Sequence, residues 1–247
     1  LSLLQADSGR EILGPLLDRR GKHALPTPML RDFLQMIGNA FPVNAVIDRN
    51  THGSVSSKCA LCGAESETYT HMQAQCTELK GIRQVAHDDI VDALTAELGE
   101  RCERGRITVH TRPRVDSMGP CDDERLASYE PDAIIKWKDK HHQTHLVVVE
   151  FTRSIREDAS THDAKVAEKT QAYQSTIRHL QRQRGVGVKV SQQTFVMSCH
   201  GAIKAGDWDR QLAWWGMKPK DCSGFQIKRE CMKACIKGNH KIANVRR

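Results

Sequence analysis

The chain has 247 residues, 39% of them hydrophobic and 27% charged, proportions that suit a folded domain with a real core. No run of 18 or more apolar residues occurs, so no segment reads as a membrane-spanning helix, and the opening LSLLQADSGR lacks the basic start and apolar stretch of a secretion signal. Lys and Arg outnumber Asp and Glu by 37 to 30, a net charge of +7; that basic excess favours a polyanion partner, because each neutralised phosphate releases condensed counterions. The nine cysteines show no framework spacing overall, which points to a reducing compartment and metal ligation rather than disulfides. The chain begins at Leu1 rather than Met and is read as a piece of a longer protein.

Residues 1–50 hold two short amphipathic pieces. In the second, PTPMLRDFLQMIGN, Met29, Phe33, Met36 and Ile37 recur at helical spacing, Pro28 suits a first turn, and Gly38-Asn39 supplies a stop. The polar stretch DRNTHGSVSSK leads into a loop with the pattern Cys59-x2-Cys62-x8-His71-x4-Cys76. Three thiols and an imidazole at that spacing form the donor set of a four-coordinate Zn²⁺ site. Four protein ligands would close the coordination sphere, so the metal is expected to be structural, holding a loop too small to bury a core.

After Cys76 the apolar period becomes helical: Ile82, Val85, Ala86, Ile90, Leu94 and Leu98 mark one face of a helix over about 78–98, with Gly99 as its stop. Strands are expected at 106–112 (RITVHTR), 131–137 (PDAIIKW) and 145–152 (HLVVVEFT). A second long helix is expected over about 160–182, with Ser160 or Thr161 as its cap, followed by a strand at 188–199 and helices at 206–216 and 222–241. From 78 to 199 the order is therefore α-β-β-β-α-β.

Asp132 and Glu150 have position numbers summing to 282, as do Trp137 and His145, which close the loop between their strands. In that register the two carboxylates lie opposite one another on the face shared by Ile134, Leu146 and Val148, with Cβ atoms roughly 5 Å apart. Facing carboxylates on an apolar surface repel unless a cation sits between them. Phosphodiester cleavage needs an activated water and compensation of charge on phosphoryl and leaving oxygens. A divalent ion such as Mg²⁺ or Mn²⁺ held by carboxylates supplies both, and a nearby lysine assists. Lys165 and Lys169, with Tyr173 one turn further, share one flank of the next helix and are the available cations.

The segments EPDAII, VVVEFT and KVAEKTQAY, in this element order, resemble the PD-(D/E)xK superfamily of restriction-type nucleases. The residue two after Glu150 is Thr152, where the parent motif has lysine. Members of that superfamily with the lysine moved to the next helix carry K-x-x-x-Y, which corresponds to Lys169 and Tyr173 here, with Lys165 as the other candidate. A CCHC loop just ahead of such a domain is similar to the carboxyl-terminal region of site-specific non-LTR retrotransposon polyproteins. Arg83, His87 and Asp88 resemble the basic-histidine motif that follows the knuckle in that family. The resemblance spans most of residues 25–200. It implies an α/β, restriction-endonuclease-like core over 78–247, a CCHC zinc knuckle over 58–77 and a helical linker over 1–57. It also implies a nuclear protein that nicks double-stranded DNA to prime reverse transcription. Arg83 and His87 would then contact nucleic acid, and the partners would be template RNA and the polyprotein's reverse transcriptase region.

A nucleic-acid-binding domain that keeps the nuclease fold without cleavage, and an unrelated zinc-dependent interaction domain, are the alternatives. His141, His142 and His145 read as solvated loop residues. Cys231 and Cys235 lie one turn apart on an amphipathic helix and, with Cys222 and His240, read as buried thiols and a neighbour rather than as a second metal site. Trp208, Trp214 and Trp215 read as core; the KPK run at 218–220 and the two terminal arginines read as solvated.

Overall fold

The computed structural model describes residues 9–18, 21–38, 40–101, 107–119, 121, 123–138, 141–156, 158–185, 187–217 and 222–246. Helices α1 (Gly9–Leu17), α2 (Thr27–Ile37) and α3 (Asn44–Asn50) precede a cysteine-bearing loop. This loop ends in a single π-helical turn, His71–Gln75, and a 3₁₀ turn, Thr77–Leu79. Then come α4 (Lys80–Arg101), β1 (Ile107–Thr111), a 3₁₀ turn at Val115–Met118 and the short α5 (Glu124–Ala127). The chain continues through β2 (Ala133–Lys138), β3 (Thr144–Ser154), α6 (Ala159–Arg184), β4 (Val188–Ser198), α7 (Asp207–Trp214) and α8 (Cys222–Arg246). It is a mixed α/β protein whose four strands form one sheet in the order β1-β2-β3-β4. The first two pairings are antiparallel and β3–β4 is parallel. Among the described residues no helix is long and apolar enough to cross a membrane.

β3 explains the sheet. Residues 146–152 are all buried, because helices cover both faces, and a strand covered on both sides reads as a continuous apolar run rather than an alternation. Val147, Val149 and Phe151 face a core built with Ile90 and Leu94 of α4, Trp208 and Leu212 of α7, and Ile227 and Cys231 of α8. Leu146 and Val148, with Ile134 of β2, face Tyr173 and Leu180 of α6. Each such side chain contributes roughly 1.5–3 kcal/mol by leaving water. Trp208 and Trp215 are core as expected and fully buried, Trp214 is partly buried against that core, and the Trp208 indole donates to the Val196 carbonyl at 2.9 Å. Cys231 and Cys235 are buried thiols in the same core.

The helix after the knuckle does not stop at Gly99. It runs to Arg101, and Gly99 lies where the Val109 side chain of β1 packs close, 3.8 Å from where a Cβ would stand. Val85, expected on the apolar face, is 49% exposed, and Val91 and Thr95 are buried in that helix instead. The cap of α6 is Asp158, whose carboxylate accepts from the Thr161 amide at 2.7 Å and from both the Ser160 and Thr161 hydroxyls. Ser160 and Thr161 therefore support the cap rather than form it. His145 is not solvated but stacks on Trp137 with centroids 4.5 Å apart; His141 and His142 are exposed. Arg246 is not a solvated terminal charge: its Nε donates to buried Glu67 at 2.5 Å. The KPK run, Asn39 and Arg247 lie outside the described residues.

α8 ties the molecule together. Met232 and Ile236 pack with Ile12, Leu16 and Phe33 of the first two helices, while Ile242 and Ala243 enter a cluster with Met36, Cys59, Cys76 and Leu79. It approaches α4 tightly at Gly238, where a Cβ would stand 2.5 Å from that of Ala86. Gly→Ala in a helix ordinarily gains about 1 kcal/mol, whereas overpacking costs about 1–3 kcal/mol. Gly238→Ala is therefore expected to destabilise the protein by about 1 kcal/mol in urea denaturation, and Ala86→Gly in the same chain is expected to recover part of the loss.

Candidate functional site

The cysteine loop is built as a hairpin. The Glu67 amide donates to the Ser57 carbonyl at 2.7 Å and the Cys59 amide to that of Ala64 at 2.8 Å, with Gly63 in the left-handed region at φ 74°, a conformation glycine adopts without strain. The π-helical turn then presents His71 back to the loop. Ligand atoms of Cys59, Cys62, His71 and Cys76 all lie within 4.8 Å of one another. The Cys59 and Cys76 sulfurs are 4.0 Å apart, and Cys62 Sγ is 3.3 Å from His71 Nε2. A tetrahedral zinc–thiolate site has ligand–ligand edges of about 3.8 Å, so this donor set can hold a zinc ion. Without a cation, burial, followed by the Cys62 thiol, pushes the Cys76 thiol up to about 11. Two further thiols and an imidazole crowded around the buried Cys76 thiol are satisfied by a metal far better than by each other. None of the described cysteines is in a disulfide.

The second cluster lies at the end of the β2–β3 pair. The register places Ala133 opposite Val149 and Trp137 opposite His145, as the sum of 282 requires, so Asp132 sits one residue ahead of β2 on the line that meets Glu150. Its backbone is held by the Arg112 amide, which donates to the Asp132 carbonyl at 2.8 Å. Its side chain is held by the Phe151 amide, which donates to Oδ2 at 2.7 Å. Glu150 is 4% exposed. Lys169 Nζ of α6 donates to Glu150 Oε1 at 2.6 Å, while Oε2 is buried with no hydrogen-bond partner among the described residues. A buried carboxylate oxygen in that state is a ready cation ligand.

The electrostatics follow from this crowding. Burial first, and the Glu150 charge second, raise the Asp132 carboxyl to about 6. Burial is the largest single influence on Lys169 and opposes its charge, but the bond to Glu150 and the charges of Glu150 and Asp132 together outweigh it and hold the ammonium above its usual value. Tyr173, one turn on, is buried, and its phenol is raised far above the ordinary range by burial and then by the Glu150 charge; Tyr129 meets it edge-on at 5.0 Å. Lys165 is not at Glu150: its Nζ pairs with Glu168 at 2.7 Å.

No protein-family profile matches the chain, and no curated protein matches it.

His87 of α4 reaches this cluster from the other side of the sheet. Its Nε2 donates to the Phe151 carbonyl at 3.2 Å and lies 3.6 Å from Asp132 Oδ2, so Phe151's backbone holds Asp132 at one end and His87 at the other. Arg83 serves the knuckle, donating to the carbonyls of Cys76 at 2.5 Å and Met72 at 3.4 Å. Two residues had no place in the sequence reading. Arg153, a charged residue in an otherwise apolar strand, donates to Gln73, the Cys199 carbonyl and Asn239. Glu67 accepts from the Asn44 and Ala60 amides in addition to Arg246. Only Arg153 had a local signal, its position inside an apolar run.

Two measurements follow. Chelation that removes zinc is expected to release one metal per chain and to loosen the knuckle, seen as new reactivity of buried Cys59 and Cys76 towards a thiol reagent. For Asp132 the folded value is raised, so its favourable contribution is full below the ordinary value of 3.8 and is lost as pH rises through about 6. In zinc-loaded protein with no other divalent ion, Asp132→Asn is expected to raise the melting temperature at pH 8 and to leave it nearly unchanged at pH 4.

Proposed function

We propose that this chain is a metal-dependent DNA endonuclease module with the core arrangement of restriction-type nucleases, carried by a non-LTR retrotransposon polyprotein whose nick primes reverse transcription. The observation that carries the reading is the meeting of Asp132, Glu150 and Lys169. Two carboxylates interact, one from the residue before β2 and one, with an orphaned oxygen, from β3, and a lysine from the next helix sits 2.6 Å from Glu150. Thr152 occupies the strand position where lysine is usual in such nucleases, and Lys169 stands in for it from α6.

Asp132 and Glu150 would hold Mg²⁺ or Mn²⁺. When bound, such an ion supplies Lewis-acid polarisation of the phosphodiester and a more acidic water. The chain's own groups do the rest. The Phe151 amide keeps Asp132 turned toward Glu150. The ammonium of Lys169 offsets negative charge on the attacked phosphate and orients the incoming water. Tyr173 walls the site on the α6 side and, held neutral, donates no charge. His87 braces Asp132 through Phe151. Structural zinc at Cys59, Cys62, His71 and Cys76 would order the loop beside this site, which faces double-stranded target DNA and, in the nucleus, template RNA delivered by the reverse transcriptase region of the same polyprotein.

A binding-only reading has one observation in its favour: Lys169 is already satisfied by Glu150. Nicking of a randomised double-stranded DNA pool separates the two. Activity is expected with Mg²⁺ or Mn²⁺ and none in EDTA. Asp132→Ala is expected to lower the rate by about a hundredfold or more, roughly 3 kcal/mol of barrier, Lys169→Ala similarly, and Lys165→Ala by only a few-fold. Nicking that survives Asp132→Ala sinks the assignment.

A further inference from the structure

A second polar feature adjoins the carboxylate site. A cleft of about 330 Å³ lies at the end of β3, between the start of α4, the π-helical turn and α6, and Lys80, Arg83, His87, Arg153, Lys165 and Gln73 line it. None of its described lining residues is acidic. The two guanidiniums are held by neutral acceptors: Arg83 by the Cys76 and Met72 carbonyls, Arg153 by Gln73 Oε1, the Cys199 carbonyl and Asn239 Oδ1. Their positive charge is therefore fixed in place without a carboxylate among these partners.

Two donors inside this wall are left over. Gln73 is 5% exposed; since its Oε1 accepts from Arg153 at 3.0 Å, the amide's orientation is set and its NH₂ must be a donor. That Nε2, and Arg153 Nε, are buried with no hydrogen-bond partner among the described residues. Buried donors without acceptors are costly, and here they belong to two residues that line a cleft rich in cations. An anion with several acceptor oxygens satisfies charge and donors together.

We propose that this cleft is a phosphate seat, holding a non-scissile phosphodiester of the DNA strand on which the Asp132–Glu150 pair acts. Identifying the anion as DNA rests on the cleavage reading above. His87 belongs to both places, lining the cleft and standing 3.6 Å from Asp132, so a strand seated here passes close to Asp132. The seat also gives the knuckle a task. Gln73 lies between His71 and Cys76, and the Cys76 carbonyl anchors Arg83, so the metal loop builds one wall of the cleft.

The test is Gln73→Glu. This near-isosteric change keeps the acceptor for Arg153 and replaces the donor that the phosphate would meet with a carboxylate oxygen that repels it. Binding of a labelled DNA oligonucleotide pool is measured across a salt series in an Asp132→Asn background, so that cleavage plays no part. Zinc content and melting temperature are checked for each variant. Gln73→Glu is expected to weaken binding at least tenfold and to lower the salt slope by about 0.7–0.9, one phosphate's worth. Lys80→Gln, an exposed change on the rim, is expected to weaken binding about threefold and serves if Gln73→Glu does not fold. Unchanged affinity and slope in a folded, zinc-loaded variant overturn the seat, as does a parent protein that binds no DNA. If nicking proves independent of Asp132 while Gln73→Glu still weakens binding, the cleavage reading fails and the seat stands; the converse pattern removes the seat alone.

Discussion

The pairing of β2 with β3 is the constraint on which the candidate site depends. Side chains in a strand alternate faces, so a slip of one residue would turn Glu150 toward the α4 side and Phe151 toward α6. The register is held because both faces of β3 are buried, each in a different core. Once fixed, it carries Asp132 past the end of β2 to the point where the Phe151 amide can seize its carboxylate. The parallel partner β4, reached through α6, then brings a helix over the same face, and Lys169 comes with it.

The carboxylate pair was legible because the loop between the strands gives the register: matching Trp137 to His145 is enough to align Asp132 with Glu150. The CCHC cluster was legible for a similar reason, since ligand spacing within 18 residues reports a local hairpin and turn. The lysine was not resolved. Lys165 and Lys169 share one flank of α6, and only the rise of the helix past the end of β3 decides that Lys169 meets Glu150 while Lys165 turns to Glu168. Helix ends misled in both directions. The helix runs through Gly99 to Arg101, and Asp158 outcompetes Ser160 and Thr161 because an ionised carboxylate is the stronger acceptor for amides at a helix start.

What could not be read from the sequence is long-range polar bonding. Arg153 reaches Gln73 across 80 positions and Asn239 across 86, and Arg246 reaches Glu67 across 179. No local period encodes such partners. They are also what joins the knuckle to the sheet, since Gln73 and Glu67 sit in or beside the metal loop while Arg153 and Arg246 belong to β3 and α8.

α8 has a mechanical consequence. Its 25 residues extend about 37 Å. One end carries Ile227 and Cys231 into the core beneath the sheet, and the other carries Ile242 and Ala243 into the cluster around Cys59 and Cys76. A rigid rod embedded in two cores lets neither melt alone, because freeing one end strips contacts from the other. The cysteine loop and the sheet should thus lose structure in one cooperative transition rather than two, so a metal held by Cys59, Cys62, His71 and Cys76 would also firm the carboxylates at the end of β3.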